Sequence, residues 1–81
     1  QNINNLNVKD ADIIGLFKLG NEVCIQVFFI RSYENRGNHA FFPKTGGGAD
    51  DIEILENFIA QFYSTKIPAK EILLSSSLRN N

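Results

Sequence analysis

The stretch over residues 23–43 constrains the fold of this chain more than any other. Two apolar runs, VCIQVFFI and AFF, flank a polar segment with the sequence SYENRGNH. Apolar runs separated by a short polar segment are typical of two antiparallel strands and their turn. We therefore predict strands over residues 23–31 and 38–42 with a hairpin loop between them. Pro43 should end the second of these strands, because it cannot donate a ladder hydrogen bond.

The segment before this hairpin predicts a further strand. Residues 12–19, DIIGLFKL, place apolar side chains at alternating positions. Gly20 and Asn21 follow, and both residue types accept the positive φ of a two-residue hairpin turn. The strand over residues 23–31 is apolar on both faces, which indicates a central place in the sheet. Gln26 interrupts it and needs a hydrogen-bonding partner if it is buried.

An amphipathic helix is predicted after the loop KTGGGA. That loop lacks the Gly-Lys-Ser/Thr ending of a phosphate-binding loop, so we interpret it as a connector. Asp50 and Glu53 form a capping-box-like pair where the helix begins. The helix should end near Lys66, because Pro68 disfavours helical geometry at the residue before it. The apolar residues at helical spacing, expected to pack on the sheet, are Ile52, Leu55, Phe58, Ile59 and Phe62.

These elements predict an α+β fold with the order β-β-β-α-β. It comprises a three-stranded antiparallel meander, one packed helix and a short fourth strand over residues 71–75. A chain of 81 residues is expected to hold one domain, which we place at residues 10–77. We interpret the Asn-rich residues 1–9 as a flexible arm or linker remnant and residues 78–81 as a frayed tail.

Composition excludes some classes of protein and leaves others open. No apolar run approaches the ~20 residues of a membrane-spanning helix. A single cysteine rules out an internal disulfide and fits a reducing, cytoplasmic setting. We expect this residue, Cys24, to be a buried structural thiol because it lies in the central strand. The net charge of -1 shows no strong overall attraction for nucleic acid, although a local basic patch is compatible with it.

Three segments of the chain carry a family resemblance. In order, VCIQVFFIRSYENRGNHAFFPK, LENFIAQFY and IPAKEILLS resemble the C subunit of the bacterial UvrABC excinuclease. The similar region lies between that subunit's UvrB-binding coiled-coil motif and its RNase H-like nuclease domain. The resemblance covers residues 12–75. It departs from the family at SYENRGN, where the family more often has a Gly-containing turn before its own Gly-Asn.

The resemblance implies a role in nucleotide excision repair. It implies that UvrB recruits the full subunit to a DNA lesion, where two nuclease domains that use divalent metal cut the damaged strand. Neither catalytic region matches this chain, so we expect a non-catalytic domain, without a cofactor of its own, that positions the nuclease domains on UvrB and damaged DNA. The alternative is a protein-docking module that contacts UvrB or the neighbouring nuclease domain. Exposure among Phe28, Phe41 and Phe42 would favour this alternative.

Two further readings concern carboxylates and sheet edges. The β-β-β-α-β order resembles the first half of an RNase H fold, in which strand and helix carboxylates hold two metal ions. The candidates here are Asp12, Glu53 or Glu56, and Glu71. We do not expect such a site, because Asp12 and Glu71 should lie at strand beginnings, whereas the site needs carboxylates in mid-strand or at the far end of a strand. An exposed edge strand could also pair with a second copy of the isolated chain.

Polar and basic residues near the hairpin form the candidate DNA contact. We expect the pairing to bring Arg31 and Asn38 to one end of the sheet, with Arg36 in the turn. Arginine and lysine can contact phosphates, and asparagine can add hydrogen bonds. The alternative is a solvated turn that keeps a small protein soluble. The candidate residues are Arg31, Arg36, Asn38, His39 and Lys44.

Overall fold

The predicted order of elements is confirmed. A computed structural model describes residues 7–44 and 48–75. It contains strands β1 (Asp10–Leu19), β2 (Glu22–Arg31), β3 (Glu34–Phe41) and β4 (Glu71–Leu74), with helix α1 (Asp51–Phe62) between β3 and β4. The four strands form one sheet in the order β3-β2-β1-β4. The expected tail and most of the expected arm lie outside the described residues.

The first hairpin follows the sequence prediction closely. β1 and β2 pair antiparallel without interruption, from Asp10 opposite Arg31 to Leu19 opposite Glu22. Gly20 adopts a φ of 62° in the turn, as its type and position predict. Both strands begin slightly earlier than expected. β4 pairs parallel with β1, which leaves β3 and β4 as the two edges of the sheet.

The second hairpin differs from the prediction. Its turn is the dipeptide Ser32–Tyr33, with φ values of 55° and 67°, and β3 begins at Glu34. The predicted long loop is therefore wrong. Positive φ at both central residues is the geometry of a type I′ hairpin turn, which matches the twist of the strands. Neither serine nor tyrosine is a residue type that predicts this turn. Hydrogen bonds to the start of β1 and the residue before it hold this turn instead: Tyr33 N donates to Lys9 O at 3.1 Å, and Ser32 N donates to Asp10 Oδ1 at 3.3 Å.

Helix α1 begins as predicted and ends earlier. The Asp50 side chain accepts a hydrogen bond from the Glu53 amide at 2.9 Å, which caps the first turn. The helix ends at Phe62, four positions before Lys66. Ile52 was predicted to pack on the sheet, but it is 69% exposed, and Ile54 is buried in its place. The buried residues Ile54, Leu55 and Phe62 define the helix face that packs on the sheet, and Ile52 lies about 200° around the helix from Ile54.

The core lies between α1 and one face of the sheet. The buried apolar residues that form it are Ile14, Leu16, Val23, Ile25, Val27, Ile54, Leu55 and Phe62. The other face is also largely apolar, and no described helix covers it. It includes Phe17 and Leu73 as well as Cys24, which is half-buried rather than buried as predicted. Gln26 on this face donates to Asn38 at 2.6 Å, so its predicted need for a partner is met.

Candidate functional site

The carboxylate of Asp12 lies at the centre of the most polar cluster in the described chain. Asp12 is 1% exposed and is the one buried charged residue among those described. Its position in β1, opposite Phe29 of β2 and Ile72 of β4, points it to the helix side of the sheet. Tyr63, which caps the C-terminal end of α1, closes the cluster on that side.

Three donors from three parts of the chain reach this carboxylate. Arg31 Nη1 donates to Asp12 Oδ1 at 3.1 Å, and the Tyr63 hydroxyl donates to Oδ2 at 2.7 Å. The backbone amide of Ala69, in the segment before β4, donates to Oδ2 at 3.4 Å. We call these four residues the Asp12 cluster. It joins β1 to the end of β2, to the end of α1 and to the approach to β4.

The charges and hydrogen bonds of the Asp12 cluster indicate a structural role. A buried charge is tolerated when it is paired and hydrogen-bonded, and Asp12 is both. Arg31 Nη1 also donates to the backbone oxygens of Ile30 and Ala11, at 2.8 and 3.3 Å. Burial raises the pKa of the Tyr63 hydroxyl well above its usual 10.0, and the hydrogen bond and negative charge of Asp12 add to this. Tyr63 therefore remains a proton donor at neutral pH.

The candidate carboxylates of a metal nuclease do not meet. Glu53 and Glu56 are exposed on α1, and Glu71 is exposed at the start of β4. Asp12 is the third residue of β1 rather than the first, which corrects its expected place, but its oxygens already accept from Arg31 and Tyr63. Within residues 7–44 and 48–75, no three His, Cys, Asp or Glu side chains converge as a metal site requires.

The five candidate DNA contacts are spread over both faces of the sheet. The register sets Glu34, not Asn38, opposite Arg31, so the expected meeting of Arg31 and Asn38 at one end of the sheet is wrong. Arg36 lies in β3 rather than in the turn. Its Nε is 3.5 Å from Oε1 of Glu34, and both side chains are exposed.

The remaining candidates divide between the two faces. Asn38 lies opposite Phe28, on the face away from the helix, whereas His39 lies opposite Val27 on the helix side. There the imidazole stacks on Phe41 with the ring centroids 4.9 Å apart. Lys44 is exposed beyond the end of β3. The role of these residues in contacting DNA stays a prediction.

Sequence reasoning missed a groove between the end of β3 and the C-terminal half of α1. We call it the aromatic groove; it has a volume of about 420 Å³. The rings of Phe41, Phe58 and Phe62 lie within 5.1 to 5.4 Å of one another. The sequence contained a signal for this groove. Phe58 and Phe62 are one helical turn apart, and the run AFFP lies at the end of β3. The lining residues are Phe41, Phe42, Pro43, Phe58, Gln61, Phe62, Thr65 and Lys66.

Comparison with known proteins decides the family. The family model described as the UvrC Ribonuclease H-like domain matches residues 10–81. The UvrABC system protein C of Cereibacter sphaeroides is 50% identical over 80 residues, which are 99% of this chain. The chain belongs to the UvrC family. The UvrC-family proteins of Jannaschia sp. and Paramagnetospirillum magneticum are each 48% identical over 75 residues, or 93% of the chain.

The matched region is a small part of these UvrC-family relatives. The chain spans 13% of the Cereibacter protein and 12% of each of the other two. The family predicted from the sequence is confirmed, and the RNase H-like description fits the observed β-β-β-α-β order. No solved structure matches this UvrC-family chain. None of its described helices is long and apolar enough to span a membrane.

Proposed function

We propose that this chain is a non-catalytic domain of an excinuclease subunit that acts in nucleotide excision repair in the bacterial cytoplasm. Its role is to position the nuclease domains of the subunit on UvrB and damaged DNA. The observation that carries the proposal is the match of residues 10–81 to the UvrC family. Relatives that carry this segment are named as protein C of a UvrABC system.

The Asp12 cluster supports a non-catalytic role. Two-metal nucleases need carboxylate oxygens that are free to bind cations. Here both oxygens of Asp12 accept hydrogen bonds, and a guanidinium already supplies the positive charge. Glu53, Glu56 and Glu71 lie apart from it on the surface. Divalent metal then acts in nuclease domains outside this chain.

Exposed cations support a contact with DNA. The requirement for exposure reduces the number of basic residues, among the five candidate DNA contacts, that are free to bind a phosphate. Arg31 is engaged by Asp12 and by two backbone oxygens, so its part is to hold the sheet together. Arg36 and Lys44 are exposed, and the exposed partner Glu34 holds Arg36 only at 3.5 Å. A surface ion pair of this kind is weak and gives way to a phosphate at little cost.

The alternative is a protein-docking module that does not touch DNA. Phe42 is 60% exposed, and Phe17 and Leu73 are partly exposed on the sheet face that no described helix covers. Phe42 lies beside α1 and the other two lie on the opposite face, and exposed apolar residues at either place are typical of surfaces that bind another protein. Phe28 and Phe41, the other aromatic residues named for this role, are half-buried.

A saturation experiment separates positioning from catalysis. The full-length subunit carrying Arg36→Ala and Lys44→Ala is titrated onto a UvrB complex with lesion-containing duplex, and incision is measured. We expect the subunit concentration for half-maximal incision to rise several-fold while the maximal rate is unchanged. The salt slope of binding should fall by about two, one for each lost phosphate contact. Lys70→Ala, which removes an exposed cation outside the candidate set, is the matched control.

Each outcome of this titration favours one function. A maximal rate that falls about a hundredfold at saturation would show that the domain takes part in the chemistry. Unchanged loading and unchanged salt slope would remove the DNA contact and favour protein docking. The variants Glu53→Gln, Glu56→Gln and Glu71→Gln should incise at the wild-type rate, and a large loss in any of them would contradict a non-catalytic role.

A further inference from the structure

The aromatic groove offers ring faces at the protein surface and takes no part in the Asp12 cluster. Its floor is formed by the packed rings of Phe41, Phe58 and Phe62. Phe42 stands at the rim with 60% of its surface exposed. The volume of about 420 Å³ lies within the range of roughly 300–1,000 Å³ that holds small ligands. The groove is therefore large enough for a flat ring system.

The charges around the groove select the kind of ligand. Lys66 lines the groove, with its Nζ 5.3 Å from the centre of the Phe62 ring, and Lys44 directly follows Pro43 of the lining. Neither lysine forms an ion pair with another described residue, whereas Lys18, Arg31 and Arg36 each do. No aspartate or glutamate is among the lining residues. The surroundings suit a ligand that combines anionic groups with flat apolar rings.

We propose that the aromatic groove binds single-stranded DNA. One base stacks on Phe42 at the rim, and Lys44 and Lys66 neutralise the flanking phosphates. Stacking of bases on aromatic side chains beside cations is the general mode of single-strand binding. The polar ends of Gln61 and Thr65, also in the lining, are suited to hydrogen bonding with base edges. This inference rests on the proposed function, because it names the form of DNA that the domain holds.

The strand must be single because a base in a duplex hides both faces in the stack. Only an unpaired or extruded base can present a face to a side chain. A duplex would reach Lys44 and Lys66 through its phosphates but would leave the exposed ring of Phe42 unused. The groove therefore predicts preference for a single strand over a duplex of the same length and charge.

The test is photocrosslinking in the full-length subunit. A short oligothymidylate that carries 5-iodouracil is bound, irradiated and digested with protease, and the crosslinked peptides are identified by mass spectrometry. We expect a crosslink within residues 41–43. Phe42→Ala should lower the yield of this crosslink about tenfold, as loss of one base stack does. Phe42→Tyr keeps the ring and should retain the crosslink. Lys66→Gln should reduce the crosslink most at low salt, because high salt already weakens the wild-type contact with phosphate.

The control is Phe17→Ala, which removes a partly exposed ring from the opposite face of the sheet. It should leave the crosslink at the groove unchanged. Thermal unfolding of each variant shows that a lost crosslink does not come from a lost fold. Because Phe42 is at the surface, its replacement should change the midpoint temperature of unfolding little.

Three outcomes would overturn the inference. The crosslink could be absent from residues 41–43, it could survive Phe42→Ala, or a duplex could compete as well as the single strand. If Phe42→Ala weakens binding to UvrB and no crosslink forms, the groove is a protein-docking site. Absence of the crosslink in the wild-type subunit, together with normal loading onto the UvrB–lesion complex, contradicts this inference alone. Unchanged loading in the Arg36 and Lys44 titration contradicts the DNA contact in the proposed function.

Discussion

The two ends of helix α1 are attached to the sheet by carboxylates in opposite environments. At the N-terminal end, Asp51 pairs with Lys18 at 2.8 Å, and their side chains are 41% and 54% exposed. At the C-terminal end, Tyr63 binds Asp12, which is 1% exposed and also pairs with Arg31. The two attachments have similar lengths, 2.8 Å between Lys18 and Asp51 and 2.7 Å between Tyr63 and Asp12. Burial makes them unequal, because water competes for the first pair and is excluded from Asp12.

The fold depends more on the polar contacts at the C-terminal end of α1 than on those at its N-terminal end. The exposed pair adds a link that water can replace. The Asp12 cluster joins β1 to the ends of β2 and α1 and to the segment before β4, so the loss of its carboxylate leaves the Tyr63 hydroxyl and the Ala69 amide without this acceptor. A buried ion pair is weak evidence for net stability, yet removal of one partner is strongly destabilising. Substitutions at the two ends of α1 should therefore have different effects.

Asp12→Ala is expected to have the largest effect. It leaves the Tyr63 hydroxyl and the Ala69 amide unpaired and removes the counter-ion of Arg31. We expect the free energy of unfolding to fall by about 3 kcal/mol, the lower end for a broken buried pair, because Arg31 is 39% exposed and keeps contact with water. Urea denaturation measures the change.

Two variants check that this loss comes from the buried contacts. Asp12→Asn keeps an oxygen that accepts from Tyr63, so it should be destabilised less than Asp12→Ala. Glu71→Ala removes an exposed carboxylate from β4 and should change stability by less than about 0.5 kcal/mol. Equal effects of Asp12→Ala and Glu71→Ala would show that burial does not distinguish these carboxylates.

Tyr63→Phe should have the next largest effect. It removes the 2.7 Å hydrogen bond to Asp12 and keeps the ring, which packs edge-on against Phe62. A hydrogen bond to a charged group contributes about 1.5–3 kcal/mol, and we expect a loss at the lower end because two other donors still reach the carboxylate. Tyr33→Phe, at an exposed position, is the control. If the Tyr63→Phe protein were as stable as wild type, the stabilisation by the Asp12 cluster would come from Arg31 and not from Tyr63.

Alkaline pH should weaken the buried end of the helix specifically. The folded state raises the pKa of Tyr63, so the folded protein holds this proton more tightly than the unfolded chain does. The stabilising contribution is complete below the unfolded pKa of 10.0 and is lost as pH rises above it. The slope reaches at most about 1.4 kcal/mol per pH unit.

The Tyr63 contribution can be isolated by comparing pH profiles of the unfolding midpoint. Wild type and Tyr33→Phe should both lose stability above pH 10, through Tyr63 and through other groups that titrate there. Tyr63→Phe should lose less stability over the same range. It lacks the hydroxyl whose deprotonation in the unfolded chain favours unfolding at high pH. Parallel profiles for Tyr63→Phe and wild type would show that Tyr63 titrates alike in the folded and unfolded chains.

The two ends of α1 also differ in how far the sequence could predict them. The Asp50 cap and the Gly20–Asn21 turn were predictable, because each depends on residues within three positions. The Asp12 cluster was not, because its partners lie 19, 51 and 57 positions along the chain. A lone Asp before an apolar run looks like a strand beginning until the sheet register is known.

The second hairpin and the aromatic groove were missed for the same reason. Ser32 and Tyr33 adopt positive φ because the turn binds Asp10 and Lys9, and nothing in the two residue types signals it. The pairing of β3 with β2, which shifts register between Phe28 and Ile30, then placed Phe41 near α1, and the alternation of side chains along β3 put Asn38 and His39 on opposite faces. Local patterns predicted the elements, whereas the site depended on contacts between distant segments.

Lys18→Ala should have the smallest effect on stability. It removes the partner of Asp51 at the exposed end of α1, where a pair of this kind contributes about 0.2–1 kcal/mol. Asp51 remains favourable in the first turn of the helix through its interaction with the helix dipole, so part of its contribution survives. We expect a loss below about 0.5 kcal/mol that disappears in high salt, measured by urea denaturation at two ionic strengths. The Asp12→Ala loss should persist in the same salt, because a buried pair is little screened. If both losses shrank equally with salt, the two ends of the helix would be held by the same kind of interaction, and the distinction drawn from burial would be wrong.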